Sequence, residues 1–201
     1  MLAVASGTER REEMKVVAFN GSPRKDGNTS ILIGHVFDEL QKQGIQTELV
    51  QLSEKEIRGC ISCYKCIENK DRKCAVKSDA ANEYIDKMLG ADGMILGSPV
   101  YFNDVTAEMK ALIDRAGFVS RANGRMFKKK VGAAVVAVRR SGAVHTLDTM
   151  GHFFLSGEMI FVGRAIGIGR DIGEVEKDEE GMNLVKSLGQ RMGWLLKKLH
   201  E

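Results

Sequence analysis

The chain has 201 residues and a mass of 22.1 kDa; 43% of the residues are hydrophobic and 28% charged, with 22 glycines and only 2 prolines. This balance fits one globular domain and excludes a collagen, a coiled coil, a low-complexity chain and a small disulfide-framework peptide. With 30 basic against 27 acidic residues the formal charge is +3, which carries no nucleic-acid footprint.

Residues 1–14 read as a solvated, flexible tail. Met1 to Ala5 has no basic lead and charge sets in from Glu9 to Glu13, so a signal peptide is not expected. The longest apolar runs, of about eight residues, fall far short of the roughly 20 that a bilayer span takes. No membrane association and a reducing, cytoplasmic setting are therefore expected. Residues 15–201 read as one domain in which a short apolar run, a glycine or polar turn and a helical stretch recur. Val16 to Phe19, Gly93 to Leu96, Val131 to Val138 and Met159 to Val162 are continuous apolar runs, the pattern of strands covered on both faces of a parallel sheet. Ile45 to Leu52 is more polar and suits an edge strand. Ile33, Val36, Phe37 and Leu40 mark a helix stopped by Gly44. Met109, Leu112, Ile113 and Ala116 mark a second, with Asp104 placed to cap it and Gly117 to end it. Leu184, Leu188, Met192, Leu195 and Leu199 line the last. Five strands alternating with helices predict a doubly wound α/β sheet, whose binding loops follow the carboxyl ends of the strands.

Two of those loops carry chemistry. The first strand runs into Asn20 to Ser30, where small and hydroxyl residues open a helix. Backbone N–H groups and the positive end of the helix dipole converge there on an anion, with Ser22, Thr29 and Ser30 as further donors and Arg24 as a charged clamp. Gly21 and Gly27 are one residue too far apart for a triphosphate loop, Asn28 stands in place of its lysine, and G-x-G-x-x-G is absent. A monophosphate cradle remains; simple helix capping by Asn28, Thr29 and Ser30 is the plainer alternative. After the third strand comes Gly97 to Asn103, stiffened by Pro99, with Tyr101 and Phe102 able either to flank a flat ring or to fill a local apolar cluster.

All four cysteines fall in one segment, residues 59–75: Cys60, Cys63, Cys66 and Cys74, spaced C-x2-C-x2-C-x7-C. Three thiolates at this spacing can wrap corners of one iron–sulfur cubane, with a fourth from further along. Four thiolates also make a closed zinc site, and a redox dithiol is a third reading.

The two loops resemble the flavin-binding loops of the flavodoxin-like NAD(P)H-dependent FMN reductases, and the cysteine segment resembles that of their iron–sulfur flavoprotein branch. The resemblance runs from about Met14 to the last helix. It implies a five-stranded parallel sheet of order 2-1-3-4-5 with a cysteine-rich insertion after the second strand. It implies that Ser22, Arg24, Asn28, Thr29 and Ser30 hold the FMN phosphate. Pro99, Val100, Tyr101, Phe102 and Asn103 would hold the isoalloxazine, together with Ser141 and Gly142 of a third loop. Cys60, Cys63, Cys66 and Cys74 would ligate a 4Fe–4S cluster. The implied activity passes electrons between NAD(P)H or ferredoxin and a small acceptor such as a flavin or quinone, in a homodimer or homotetramer, with no catalytic side chain required. A non-catalytic FMN electron carrier, and a simple reductase whose cysteines bind zinc or nothing, are the alternatives. Lys128 to Lys130 with Arg121 and Arg125, and the acidic stretch Glu174 to Glu180, read as solvated surface. His145 and His152 read as helix-surface or core residues, and Trp194 as core or subunit interface.

Overall fold

The computed structural model describes residues 13–201, so positions 1–12 of the expected tail lie outside the described residues. Met14, the tail's last residue, already accepts a hydrogen bond from Gln46 N at 2.9 Å. Five parallel strands, β1 (Lys15–Asn20), β2 (Gln46–Gln51), β3 (Gly93–Pro99), β4 (Val131–Val138) and β5 (Ile160–Ile168), pair in the order β2-β1-β3-β4-β5. The helices are α1 (Asn28–Gln41), α2 (Lys65–Asn69), α3 (Ala81–Leu89), α4 (Ala107–Ala122), α5 (Ala143–Ser156) and α6 (Glu179–His200). This is the doubly wound, flavodoxin-like sheet that the sequence predicts.

Successive strand residues point to opposite faces, which is why the central strands need unbroken apolar runs. Val16, Ala18, Ile95, Val131 and Val135 face α1 and α6. Val17, Phe19, Met94, Leu96, Ala134 and Val136 face α3, α4 and α5. All eight residues of β4 are buried. Among the described residues, no helix is long and apolar enough to cross a membrane.

Four expectations need correction. β5 runs to Ile168 rather than ending near Val162. The register shifts there, with Gly132 opposite Phe161 and Ala133 opposite Gly163. Gly163, at φ 143°, absorbs the extra residue and lets the strand continue past the charged Arg164. α4 passes through Gly117 and ends at Asn123–Gly124, where Gly124 at φ 79° takes the left-handed stop position. The cap of α4 is Thr106, whose hydroxyl accepts from Met109 N, while Asp104 serves the preceding turn. The buried stripe of α6 is Val185, Leu188, Met192 and Leu196; Leu184, Leu199 and Trp194 are exposed, so Trp194 is not a core residue. The stripe is turned because Gly189 and Gly193 bring α6 down onto α1, where a Cβ on Gly189 would lie 2.7 Å from Val36 O.

Candidate functional site

Chain order reverses between β1 and β3, and the crevice beyond their carboxyl ends is where such a sheet binds ligands. The structure builds that crevice from the polar residues ending β1 and β2. Asn20 is fully buried: its Nδ2 donates to Gln51 Oε1 at 2.8 Å, and its Oδ1 accepts from Ser22 N at 3.0 Å. Gln51 Nε2 donates onward to Ser22 O and to Ser53 Oγ. Ser22 Oγ accepts from Arg24 N at 3.1 Å, leaving the Arg24 side chain exposed at the rim. Gly21 N donates to Gly97 O and Thr106 Oγ1 donates to Gly21 O, each at 2.8 Å, so the first loop is tied to β3 and to the head of α4.

The residue ahead of α1 is Gly27, which has no side chain to bond, so helix capping does not account for the residues that follow it. The first bond of the helix is Ile31 N to Gly27 O, which leaves the N–H groups of Asn28, Thr29 and Ser30 ahead of the ladder. Thr29 is buried, and among the described residues its Oγ1 has no hydrogen-bond partner. A buried hydroxyl left unpaired costs about 1–3 kcal/mol unless a ligand completes it. The Asn28 side chain is committed elsewhere: Nδ2 donates to Asp171 O at 3.0 Å, and Oδ1 accepts from Gly173 N at 2.9 Å. It clasps the loop after β5, so its backbone N–H is the group left for an anion.

The second loop closes as a tight turn. Tyr101 N donates to Asp104 O and Asp104 N to Tyr101 O, with Phe102 at φ 49° and Asn103 at φ 71° between them. Two positive φ values in succession define a type I′ turn, which asparagine tolerates and phenylalanine adopts only under strain. The Phe102 ring is fully exposed on this turn, beside an exposed Tyr101. Gly142, at φ 92°, begins α5 in the third loop. A Cβ there would lie 2.7 Å from Val100 Cγ1 and 2.9 Å from Asn103 Cα, so glycine is what lets the second and third loops meet. Asp104 completes the joint, accepting from Thr149 Oγ1 at 2.7 Å with His145 Nε2 at 3.6 Å. His145 and His152 both lie within α5. Ser141 is exposed and Pro99, at the end of β3, is half-buried.

The four cysteines occupy the irregular segment between β2 and α3, with Cys66 in α2. Left-handed backbone at Ser62, Tyr64, Lys70 and Arg72 folds the segment back on itself. All four thiols line one small, largely apolar pocket against α4. Cys60 and Cys63 are exposed, Cys66 and Cys74 half-buried, and none is in a disulfide. Burial pushes the Cys66 thiol above its ordinary range. Among the described residues, no three Cys, His, Asp or Glu side chains gather closely enough for a single metal ion. Asn82 of α3 fixes Cys74 from both sides, its Oδ1 accepting from Cys74 N at 2.7 Å and its Nδ2 donating to Cys74 O at 2.9 Å.

A family model described as NADPH-dependent FMN reductase matches residues 14–172. The chain belongs to this family. It is 37% identical over 194 residues to an iron–sulfur flavoprotein of Methanocaldococcus jannaschii, covering 92% of this chain and 98% of that one. The fold matches RosB carrying 8-demethyl-8-formylriboflavin-5′-phosphate, with TM-score 0.74, 19% identity, and 92% and 80% coverage. It also matches an NAD(P)H:quinone oxidoreductase from Methanothermobacter marburgensis, with TM-score 0.68, 14% identity, and 90% and 96% coverage.

As a member of the NADPH-dependent FMN reductase family the chain is an oxidoreductase, and FMN is the cofactor the family implies. The crevice fits FMN chemically. Three helix N–H groups and the unpaired Thr29 hydroxyl suit a phosphate, and the aromatic second loop suits a flat ring. Residues that sequence reasoning missed are the ones that brace the site: Gln51 and Thr106 behind the first loop, and Asn82 and Arg115 behind the thiols. Arg115 alone left a signal, a charge inside an apolar helical stripe.

Proposed function

We propose that the chain is an iron–sulfur flavoprotein in which Cys60, Cys63, Cys66 and Cys74 hold a 4Fe–4S cluster, and that it relays electrons between NAD(P)H or a ferredoxin and a small acceptor such as a flavin or quinone. The observation that carries this reading is that four thiols line one pocket on the same helix whose head is bonded to the flavin loop. From Thr106 to Arg115 is about 13 Å along α4 at 1.5 Å per residue. Three closely spaced thiolates and a fourth further along, all lining one pocket, suit the corners of a multi-iron cluster better than the two separated knuckles of a zinc site. Flavin exchanges electrons singly or in pairs and a cluster exchanges them singly, which is how a one-electron carrier is matched to a two-electron partner.

The protein's own part is placement. Ser22, the N–H groups of residues 28–30 and the Thr29 hydroxyl hold the phosphate, and Arg24 closes the rim. Val100 to Asn103 and Gly142 set the ring, with Tyr101 and Phe102 as its apolar cover. No acid or base is needed for hydride transfer, so no catalytic side chain is assigned. Exposed thiols suit a reducing cytoplasm. Exposed apolar side chains at and next to the flavin loops, Tyr101, Phe102 and Val144, support a homodimer or homotetramer. The test is the visible spectrum and the iron and acid-labile sulfide content of anaerobically purified protein. Two flavin bands on a broad absorption that dithionite bleaches, with about four irons per protomer for a 4Fe–4S cluster, are expected. Flavin bands without iron would sink the cluster and leave a simple flavin reductase.

A further inference from the structure

Arg115 sits where an apolar residue belongs. It shares the buried face of α4 with Ala111, Leu112 and Val119, and it is only 1% exposed. Its anionic partner among the described residues, Asp79, has an equally buried side chain. A buried ion pair is expensive to desolvate and seldom outperforms well-packed apolar side chains, so its presence calls for a reason beyond stability.

The geometry supplies one. One guanidinium nitrogen donates to Asp79 Oδ2 and to Arg58 O, the latter at 3.1 Å; the other donates to Val76 O at 3.1 Å. Arg58 lies two residues before Cys60 and Val76 two residues after Cys74, so one side chain staples both ends of the thiol segment. Asp79 reinforces the joint by accepting from Arg58 N at 3.1 Å and from Ala81 N at 3.2 Å. Arg115 is also a wall of the thiol pocket, which Asp79 does not line, and its guanidinium neighbours the Cys74 side chain. Among the described residues Arg115 Nε has no partner, a buried donor still to be used. Burial works against the cation, but Asp79 and the neighbouring Cys74 side chain more than offset it.

We propose that Arg115 is a positioning residue for the thiol site, a fixed cation that clamps the two ends of the cysteine segment and raises the reduction potential of the centre its thiolates carry. This rests on the iron–sulfur reading above. Reduction adds one negative charge to such a centre, and a permanent positive charge in a poorly screened pocket stabilises the added charge. Asp79 opposes that effect from one shell further out, and so trims it.

The test compares full-length wild type, Arg115→Gln, Arg115→Lys and Asp79→Asn, each purified with FMN and reconstituted anaerobically with iron and sulfide. Iron content is measured first, then the midpoint potential of the loaded fraction by dye-mediated titration with dithionite. The expected result is a potential lowered in Arg115→Gln, raised in Asp79→Asn and near wild type in Arg115→Lys. Both neutral variants losing iron while the loaded fraction keeps the wild-type potential would reduce Arg115 to a structural residue and overturn the proposal. Wild type that takes up no iron would instead overturn the iron–sulfur reading, and this inference with it. Should Arg115→Gln fail to fold, Asp79→Asn decides alone: a raised potential supports the proposal and an unmoved one defeats it.

Discussion

Thr29 keeps a hydroxyl in the core with nothing to bond among the described residues, and its neighbours Asn28 and Ser30 do not relieve it. Thr29→Val keeps the shape and removes only that oxygen. The variant without flavin should be as stable as wild type or more so, because an unsatisfied buried group has gone, while FMN binds about 5–10-fold more weakly for the loss of one hydrogen bond worth about 1 kcal/mol. Equilibrium dialysis with FMN and urea unfolding of the flavin-free protein measure the two halves separately. Asp79 makes a prediction in pH. Burial raises its carboxyl and the bonds from Arg115 and two backbone N–H groups outweigh that, so it titrates below its ordinary value of 3.8. A depressed carboxylate pKa contributes stability above the unfolded value and loses it as pH falls through the folded one. Asp79→Asn should therefore cost about 3–5 kcal/mol at pH 7, by stranding the Arg115 charge. The gap to wild type should narrow below about pH 4, as urea midpoints at pH 7 and pH 3 would reveal.

Glycines within the elements divide into those the packing needs and those it does not. Gly142 is needed twice, for its φ of 92° and for the 2.7 Å approach of Val100. Gly142→Ala should cost about 1–3 kcal/mol and weaken flavin binding by parting the second and third loops. Gly34, inside α1, has nothing within 4 Å of where a Cβ would stand. Gly34→Ala should raise stability by about 0.5–1 kcal/mol in thermal unfolding, with flavin affinity unchanged. The same contrast explains what could be read before the structure was known. Val131 to Val138 announces β4 because a strand covered on both faces must be apolar throughout. Gly44 announces the end of α1 because the chain does turn there, at φ 78°. Gly117 carries the same local signal as Gly44 but lies mid-helix, since only the neighbouring α5 decides whether a glycine stops a helix or seats one. The helix-opening turn after β1 was legible from its small and hydroxyl residues, and the gathering of the thiols from their spacing. The clasp of Asn28 on Asp171 was not, because 143 residues separate the partners. Arg115 was passed over because periodicity counts apolar positions and is blind to a charge that buries itself with a distant partner.

Taken as one body, the protein should gain stability from its cofactor as the logarithm of free FMN over its Kd. FMN at about 100 times its Kd should add about 2.7 kcal/mol, which for a chain of this size is a melting rise of about 5–10 °C. Calorimetry with graded FMN checks this, and a flat response would mean that FMN does not bind the folded chain. The docking of α6 on α1 has a further consequence for how the cofactor is acquired. The helix α1, whose head is the proposed seat of the phosphate, is held from behind by Gly189 against Val36 and by Gln190 Nε2 donating to Glu39 Oε2 at 2.9 Å. Its first residue is clasped by the stretch that follows β5. A ribosome makes α1 before these supports, so the cradle stays unfinished until α6 has emerged. Flavin insertion is therefore expected to follow the docking of α6 on α1.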